Sequence, residues 1–273
     1  MITALLTHEW RRTRSMVGAA TGIALLVVAA AALLVAPGWP GLSLLGVLLG
    51  AAALCGYVPV LQVLLAVDYW RSSYGRIGYF TQTLPIRGGT IFAAKFLHMN
   101  LVVFAGLIVT VLLVPLYWWG LASGGFVDLG LIAVLRELWA TVSGALSPLL
   151  LLAAVAVFLA LMVTGQAMYV FSASIGSETP INRLGFGGPV VVYIVLYGVS
   201  QVLTFAAFLV IPVGIGMTGD GLGLMRFDVL AEMTAGASSG DVMPLAFLPP
   251  LLLIGVACAW RTVRSWNRKV ALV

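Results

Sequence analysis

Residues 41–67 read GLSLLGVLLGAAALCGYVPVLQVLLAV, a stretch without a single charged side chain. A helix needs about 20 consecutive apolar residues to cross the roughly 30 Å hydrocarbon core of a bilayer. This stretch is long enough, and it lacks the alternation of apolar and polar residues that is typical of an outer-membrane barrel strand. It therefore predicts a membrane-spanning α-helix.

Five further uncharged runs lie on either side of this one. They are 16–36, 96–119, 141–177, 184–219 and 242–260. The mean hydropathy of the chain is +1.13. Only 8% of its 273 residues are charged, too few to cover the surface of a soluble protein of this size. We therefore predict an all-α membrane protein, a single transmembrane domain over 1–273 with six transmembrane helices.

Charge predicts the orientation of the spans, because cytoplasmic loops are enriched in Lys and Arg. With six crossings and a cytoplasmic N-terminus, the outer segments hold two basic residues and six acids, whereas the inner segments hold three acids, Glu9, Asp68 and Glu178. The inner segments also hold twelve basic residues: Arg11, Arg12, Arg14, Arg71, Arg76, Arg87, Lys95, Arg183, Arg261, Arg264, Arg268 and Lys269. We therefore predict that both termini are cytoplasmic, and that the net charge of +5 reflects topology rather than nucleic-acid binding.

The composition also indicates a source and a compartment. Arg far outnumbers Lys, and Ala, Val, Leu and Gly dominate, a pattern that favours a bacterial gene with GC-rich codons. The membrane is then predicted to be the bacterial plasma membrane. Cys55 and Cys258 both lie in apolar runs, where core packing is the expected role and a disulfide is not.

The segments outside the spans carry local patterns. Residues 2–14 separate apolar from polar side chains on two helical faces, which predicts an amphipathic elbow helix over 1–15 in the inner headgroup layer; an unstructured basic flank is the alternative. Pro37-Gly38-Trp39-Pro40 predicts a tight turn between spans 1 and 2. Gly46 and Gly50 would let a neighbouring helix approach span 2 closely.

Two longer segments are predicted on the outer side. The first, 120–147, is expected to contain a short helix and to end at Ser147-Pro148, a cap followed by proline that is typical of a helix start. The second, 215–243, is rich in glycine. There we predict a short amphipathic helix over 224–233, in the outer leaflet between spans 5 and 6.

Chemistry carried by the chain itself is not expected. A Walker A loop needs a Lys between Gly and Ser or Thr, and neither Lys95 nor Lys269 has that context. The two histidines, His8 and His98, form no metal-binding spacing with each other or with cysteine. We therefore predict no catalytic residue, no metal and no cofactor in this chain, which is not expected to be an enzyme. The spans also lack the embedded carboxylates of proton-coupled transporters.

The coupling loop (68–95) is the most specific polar stretch. In it, 78–87 reads GYFTQTLPIR, where Tyr79, Phe80 and Leu84 would be exposed on a short helix that Pro85 ends. An exposed aromatic helix with a rigid stop suits docking into a groove of a partner. An interfacial helix packed on lipid is the alternative.

This motif, followed by Ile91 and Lys95, resembles the pattern of type 2 ABC exporter permeases, in which a short helix ends in Leu-Pro and a Lys opens the third span. The resemblance extends to the elbow helix, the six spans, the long loop between spans 2 and 3 and the outer segment between spans 5 and 6. The chain departs from the family in its longer outer loop between spans 3 and 4.

The resemblance implies an exporter subunit that pairs with a second permease, identical or paralogous, and with two copies of an ABC ATPase subunit that bind ATP and Mg. It also implies that the coupling segment (79–87) contacts the ATPase. The coupling residues are then Tyr79, Phe80, Thr83, Leu84, Pro85 and Arg87.

In that family spans 2 and 5 line the substrate path. The matching polar and aromatic residues here are Tyr57 and Gln62 on span 2, and Tyr193, Tyr197, Gln201, Thr204 and Phe208 on one face of span 5. Helix–helix packing is the alternative role for this stripe. The expected cargo is hydrophobic or amphipathic. A non-transporting membrane scaffold and a secondary transporter are the rival functions.

Overall fold

The computed structural model describes residues 2–75, 78, 85–179, 181–218, 221–229, 231–232 and 242–268. The chain divides into two compact units, Met1–Leu138 and Trp139–Val273. Long helices make up most of the described part of each unit.

The first unit contains α1 (Ile2–Val35), α2 (Leu42–Ser73) and α3 (Gly88–Ser123), and each of these helices packs against the other two. The turn between α1 and α2 includes Gly38 and Gly41, whose φ angles of 68° and 85° lie in the left-handed region that glycine adopts without strain. The predicted tight turn at 37–40 is confirmed.

Two glycines on α2 allow this close packing. A Cβ added at Gly46 would lie 2.8 Å from the carbonyl oxygen of Ala31 on α1. One added at Gly50 would lie 2.1 Å from Cε2 of Tyr117 on α3. Tyr117 crosses Gly50 and donates a hydrogen bond of 2.7 Å to the carbonyl of Val47. The predicted close approach at these two glycines is confirmed, and it involves both neighbouring helices.

The segment predicted as an elbow is the first part of a longer helix. Residues 2–14 are helical, but α1 continues from Ile2 to Val35 without a break. No proline interrupts the transition from the amphipathic part to the apolar part, and proline is the commonest cause of a sharp kink. The structure therefore has one continuous helix where the sequence predicted an elbow followed by a span.

Helix α4 (Leu131–Ala145) includes the boundary between the units, and the second unit continues with α5 (Pro148–Ile175), a 3₁₀ helix (Ile181–Leu184), α6 (Gly187–Val210) and α7 (Leu248–Arg268). α5 packs against α6 and α7. Ser147 caps α5 as predicted, because its hydroxyl accepts a hydrogen bond of 3.3 Å from the backbone N–H of Leu150.

The predicted outer segment 215–243 contains most of a three-stranded antiparallel sheet, which includes the start of the helix predicted there. β1 (Val213–Thr218) pairs with β2 (Gly221–Arg226) on one side and with β3 (Val242–Pro244) on the other. The helix predicted over 224–233 is therefore wrong at 224–226. Glycine alternates with larger residues in both VGIGMT and GLGLMR, and Ile215 pairs with Leu224 in the register. A period of two suits a strand, whose side chains alternate between two faces.

Among the described residues, five helices are long and apolar enough to cross a membrane: α1, α2, α3, α5 and α6. The run predicted as a sixth span, 242–260, is divided between β3 and α7. Because α7 begins only at Leu248 and reaches Arg261, its uncharged part is shorter than a typical span. The chain is a multi-pass helical membrane protein, and its sixth crossing remains a prediction.

Candidate functional site: a buried charge cluster beside the coupling loop

The coupling segment lies mostly outside the described residues. Four of the predicted coupling residues lie outside the described residues: Tyr79, Phe80, Thr83 and Leu84. Pro85 and Arg87 are described, and both are exposed. α3 begins directly after Arg87, whose carbonyl accepts hydrogen bonds from the backbone N–H groups of Thr90 (2.9 Å) and Ile91 (3.3 Å). The end of the coupling segment is therefore joined directly to α3.

A charge cluster (Glu9, Arg12, Asp68 and Lys95) joins α1 to the ends of α2 and α3 that flank the coupling segment, with Glu9 and Lys95 buried and Arg12 and Asp68 half-buried. Lys95 on α3 is only 3% exposed. Its Nζ lies 3.7 Å from Oε1 of Glu9 on α1 and donates a hydrogen bond of 2.7 Å to Oγ of Ser72 on α2. This one ammonium group therefore contacts both of the other helices in the first unit.

Arg12 makes the second set of links in the cluster. Its Nη2 donates hydrogen bonds to the carboxylate of Glu9, one turn away on α1, and to Oδ2 of Asp68 on α2 at 2.7 Å. Glu9 is 7% exposed, so its carboxylate is removed from water while it faces two cations. The formal charges of the four groups cancel, as is required for charges in a low-dielectric site.

Two further side chains complete the contact between α1 and α3. The hydroxyl of Thr13 donates to the carbonyl of Glu9 at 2.9 Å, and its oxygen lies 2.9 Å from Nε2 of His98. A hydrogen bond between these two side chains therefore joins α1 to α3. The ring of Trp10 packs edge-on against His98, with 6.4 Å between ring centroids. The three helices are thus joined by polar contacts beside the loop.

The predicted path residues on α2 are buried inside the first unit. Tyr57 is 6% and Gln62 is 8% exposed. The hydroxyl of Tyr57 lies 2.7 Å from Oγ1 of Thr21, a hydrogen bond between α2 and α1. Tyr57 therefore makes a helix–helix contact in the first unit, and its assignment to a substrate path stays a prediction.

The predicted stripe on α6 forms an aromatic series in the second unit. Tyr193 stacks on Tyr169 of α5 with 4.9 Å between ring centroids, and on Tyr197 with 6.5 Å. Tyr197 and Gln201 are exposed, whereas Tyr193, Thr204 and Phe208 are half-buried. Phe208 lies at the other end of the stripe, with its ring centroid 6.5 Å from that of Phe247. The stripe thus combines internal packing with an accessible face.

An ion pair in the second unit was missed by sequence reasoning. Glu178 lies in the turn after α5 and accepts two hydrogen bonds from Arg261 on α7, at 2.9 and 2.8 Å. Ser265 donates a third at 2.6 Å. This fork-to-fork geometry is the strongest arrangement available to Arg and a carboxylate. This ion pair holds the turn that follows α5 against α7.

The signal for these contacts was present in the sequence. Glu9, Asp68 and Glu178 are the three acids on the predicted inner side, where the other charges are basic. Each of the three is paired with a cation in the structure. An acid in a strongly basic segment therefore indicated a structural ion pair, although its partner could not be identified from local spacing.

The two groups of paired charges connect helices by placing acids beside bases. Among the described residues, no group of three or more His, Cys, Asp or Glu side chains is placed to hold a metal ion. No family model, no curated protein and no solved structure matches this chain.

Proposed function

We propose that this chain is the transmembrane permease subunit of a bacterial ATP-driven ABC exporter. It would form a dimer with a second permease, identical or paralogous, in the plasma membrane. Two copies of a separate ABC ATPase would bind its coupling segments and supply ATP hydrolysis with Mg. The cargo would be hydrophobic or amphipathic, such as a drug, a peptide antibiotic or a lipid. The resemblance of 78–95 to the coupling motif of the family is the basis of the proposal.

The charge cluster is the structural observation that supports it best. Asp68 and Lys95 lie on the two helices that flank the coupling segment, and both are linked to α1 through Glu9 and Arg12. A displacement of the segment on ATPase closure would therefore move α1, α2 and α3 together. Movement of packed helices as one body is a common way in which a local event opens a path elsewhere.

The aromatic series on α6 supports the class of cargo. Tyr197 is 52% exposed and lies in a stack with Tyr193, so it presents an aromatic surface with a polar hydroxyl. Gln201, one turn further on, is also exposed and adds an amide. Such a face suits an amphipathic molecule better than a small ion.

Two rival functions differ from an exporter in what the chain must contain. A non-transporting scaffold would share the docking segment but would have no substrate path. A secondary transporter would need a carboxylate that exchanges protons or binds ions during transport. The three acids on the predicted inner side are instead engaged in ion pairs, an observation that favours an external energy source.

Co-purification tests the proposal. The tagged chain is solubilised from its native membrane in mild detergent, and bound proteins are identified by mass spectrometry. The test variant is Leu84→Asp/Arg87→Glu in the coupling segment. Leu135→Asp/Arg136→Glu is a matched control, because it makes the same chemical changes on the exposed surface of α4. We expect an ABC ATPase with the wild type and the control, and at least a tenfold loss with the test variant.

Other outcomes exclude the proposal. If no ATPase co-purifies while the chain keeps its own oligomeric state, a scaffold or a secondary transporter becomes the better assignment. If the control loses the ATPase as completely as the test variant, the coupling segment is not the docking site.

A further inference from the structure

An open groove of about 900 Å³ runs along the first unit between α1 and α3. This volume lies within the range of pockets that bind drug-sized ligands, roughly 300–1,000 Å³. Trp10, Arg14, Gly18 and Gly22 line one side of the groove from α1, and Ala105 and Val109 line the other from α3. One end of the groove is thus polar and aromatic, and the other is mostly apolar, with the hydrogen-bonded hydroxyls of Thr21 and Tyr57 in its lining.

The apolar end of the groove is open because its residues are small. A Cβ added at Gly18 or at Gly22 would meet no atom within 4 Å. The two glycines are one turn apart on the same face of α1, opposite Ala105 on α3. The result is an open, mostly apolar channel, of the kind that an extended hydrocarbon chain can fill.

Arg14 places a positive charge at the other end of the groove. It is exposed, and no carboxylate of the described residues lies within 4 Å of it, unlike Arg12 in the charge cluster. Arg14 precedes the uncharged run 16–36, so it lies at the level where apolar sequence begins. Gly22 is about 12 Å further along the helix, within the apolar region. Trp10, 50% exposed, lies one turn before Arg14, and tryptophan is enriched at the headgroup level.

We propose that this groove binds a phospholipid with an anionic headgroup, from the leaflet on the side of the N-terminus. The phosphate lies against the Arg14 guanidinium, whose planar donors match phosphate oxygens. One acyl chain lies along Gly18 and Gly22. Charge complementarity at one end and an apolar channel at the correct depth at the other favour a lipid over a soluble anion or a polar peptide. The proposal does not depend on the exporter assignment, because lipid binding is measured without an ATPase.

Lipid retention tests this site. The full chain is reconstituted in nanodiscs with equal amounts of phosphatidylglycerol and phosphatidylcholine and is then released into detergent. Native mass spectrometry counts the lipids that each molecule retains. Arg14→Gln removes the charge, and Gly22→Leu fills the channel without meeting any neighbouring atom through its Cβ. Arg11→Gln is the matched control, because Arg11 is exposed on the same helix and does not line the groove.

The wild type and Arg11→Gln are expected to retain phosphatidylglycerol in preference to phosphatidylcholine. Arg14→Gln should reduce this preference about tenfold, the usual effect of losing a charge-assisted hydrogen bond. Gly22→Leu should reduce the retention of both lipids. An equal loss with Arg11→Gln would overturn the proposal in favour of general surface charge, as would equal retention of both lipids by the wild type. If Gly22→Leu separates a dimer of the chain and leaves lipid retention unchanged, a second copy occupies the groove instead.

Discussion

Lys95 shows how far the role of a single residue depends on its surroundings. In the sequence it marks the opening of the third span and is one of the basic residues that predict orientation. In the structure its ammonium group lies between Glu9 and Ser72 and is almost fully buried. A charge in this position is stable only while its partners are present, because burial removes the stabilisation that water would give.

Replacing Lys95 with Met should lower the free energy of unfolding by about 3–5 kcal/mol, the usual cost of removing one partner from a buried ion pair. The measurement is denaturant unfolding in detergent micelles. The double variant Glu9→Gln/Lys95→Met should recover part of the loss, because it removes the opposing charge as well. Arg71→Gln is the control, since Arg71 is exposed at the end of α2 and its loss should change stability by less than about 0.5 kcal/mol. Equal stability of Lys95→Met and Arg71→Gln would contradict the structural role of the cluster.

At the scale of elements, α2 illustrates how glycine positions determine helix packing. Gly46 contacts α1 and Gly50 contacts α3, and the two glycines lie one turn apart on the same face of α2, so α2 approaches both helices closely within one turn. Gly56 lies further along the same helix, and a Cβ there would meet nothing within 4 Å. The three glycines are the same residue type on one helix, but a side chain at each would meet different neighbours.

This difference gives a matched pair of substitutions. Gly50→Leu should destabilise the protein by about 1–3 kcal/mol, because its Cβ would overlap the ring of Tyr117 and force the ring to shift from its place between the helices. Gly56→Leu should be neutral or stabilising by up to about 1 kcal/mol, since leucine has the higher helix propensity. Unfolding midpoints in detergent measure both variants. Equal effects of the two substitutions would show that α2 and α3 are further apart than described.

At the scale of the whole molecule, the number of crossings decides on which side of the membrane the C-terminus lies. The five apolar helices establish a multi-pass membrane protein. The basic residues predict that the N-terminus is cytoplasmic, and six crossings would bring the C-terminus back to the same side. Five crossings would leave the C-terminus on the opposite side. The location of the C-terminus therefore determines whether α7 crosses the membrane.

We expect a C-terminal fusion to green fluorescent protein to fluoresce in a bacterial host, and a C-terminal fusion to alkaline phosphatase to be inactive. Fusions after Asp128, in the predicted outer segment, serve as the control and should give the reverse pattern. Active phosphatase at the C-terminus would show that the chain does not cross the membrane a sixth time.

The sequence by itself determined the features that depend on adjacent residues. The apolar runs predicted the long helices, Ser147-Pro148 predicted the start of α5, and the turn at 37–40 was clear from its prolines and Gly38. The sheet also has a local signal, since glycine alternates with larger residues in both β1 and β2, and this period of two differs from the helix predicted over 224–233.

Only the tertiary structure decided which distant residues meet. Glu178 and Arg261 are 83 positions apart, and neither has a local pattern that identifies the other. The same is true of Glu9 with Lys95, and of Tyr57 with Thr21. The physical reason is that side-chain direction and helix packing, rather than sequence spacing, bring such groups within hydrogen-bonding distance.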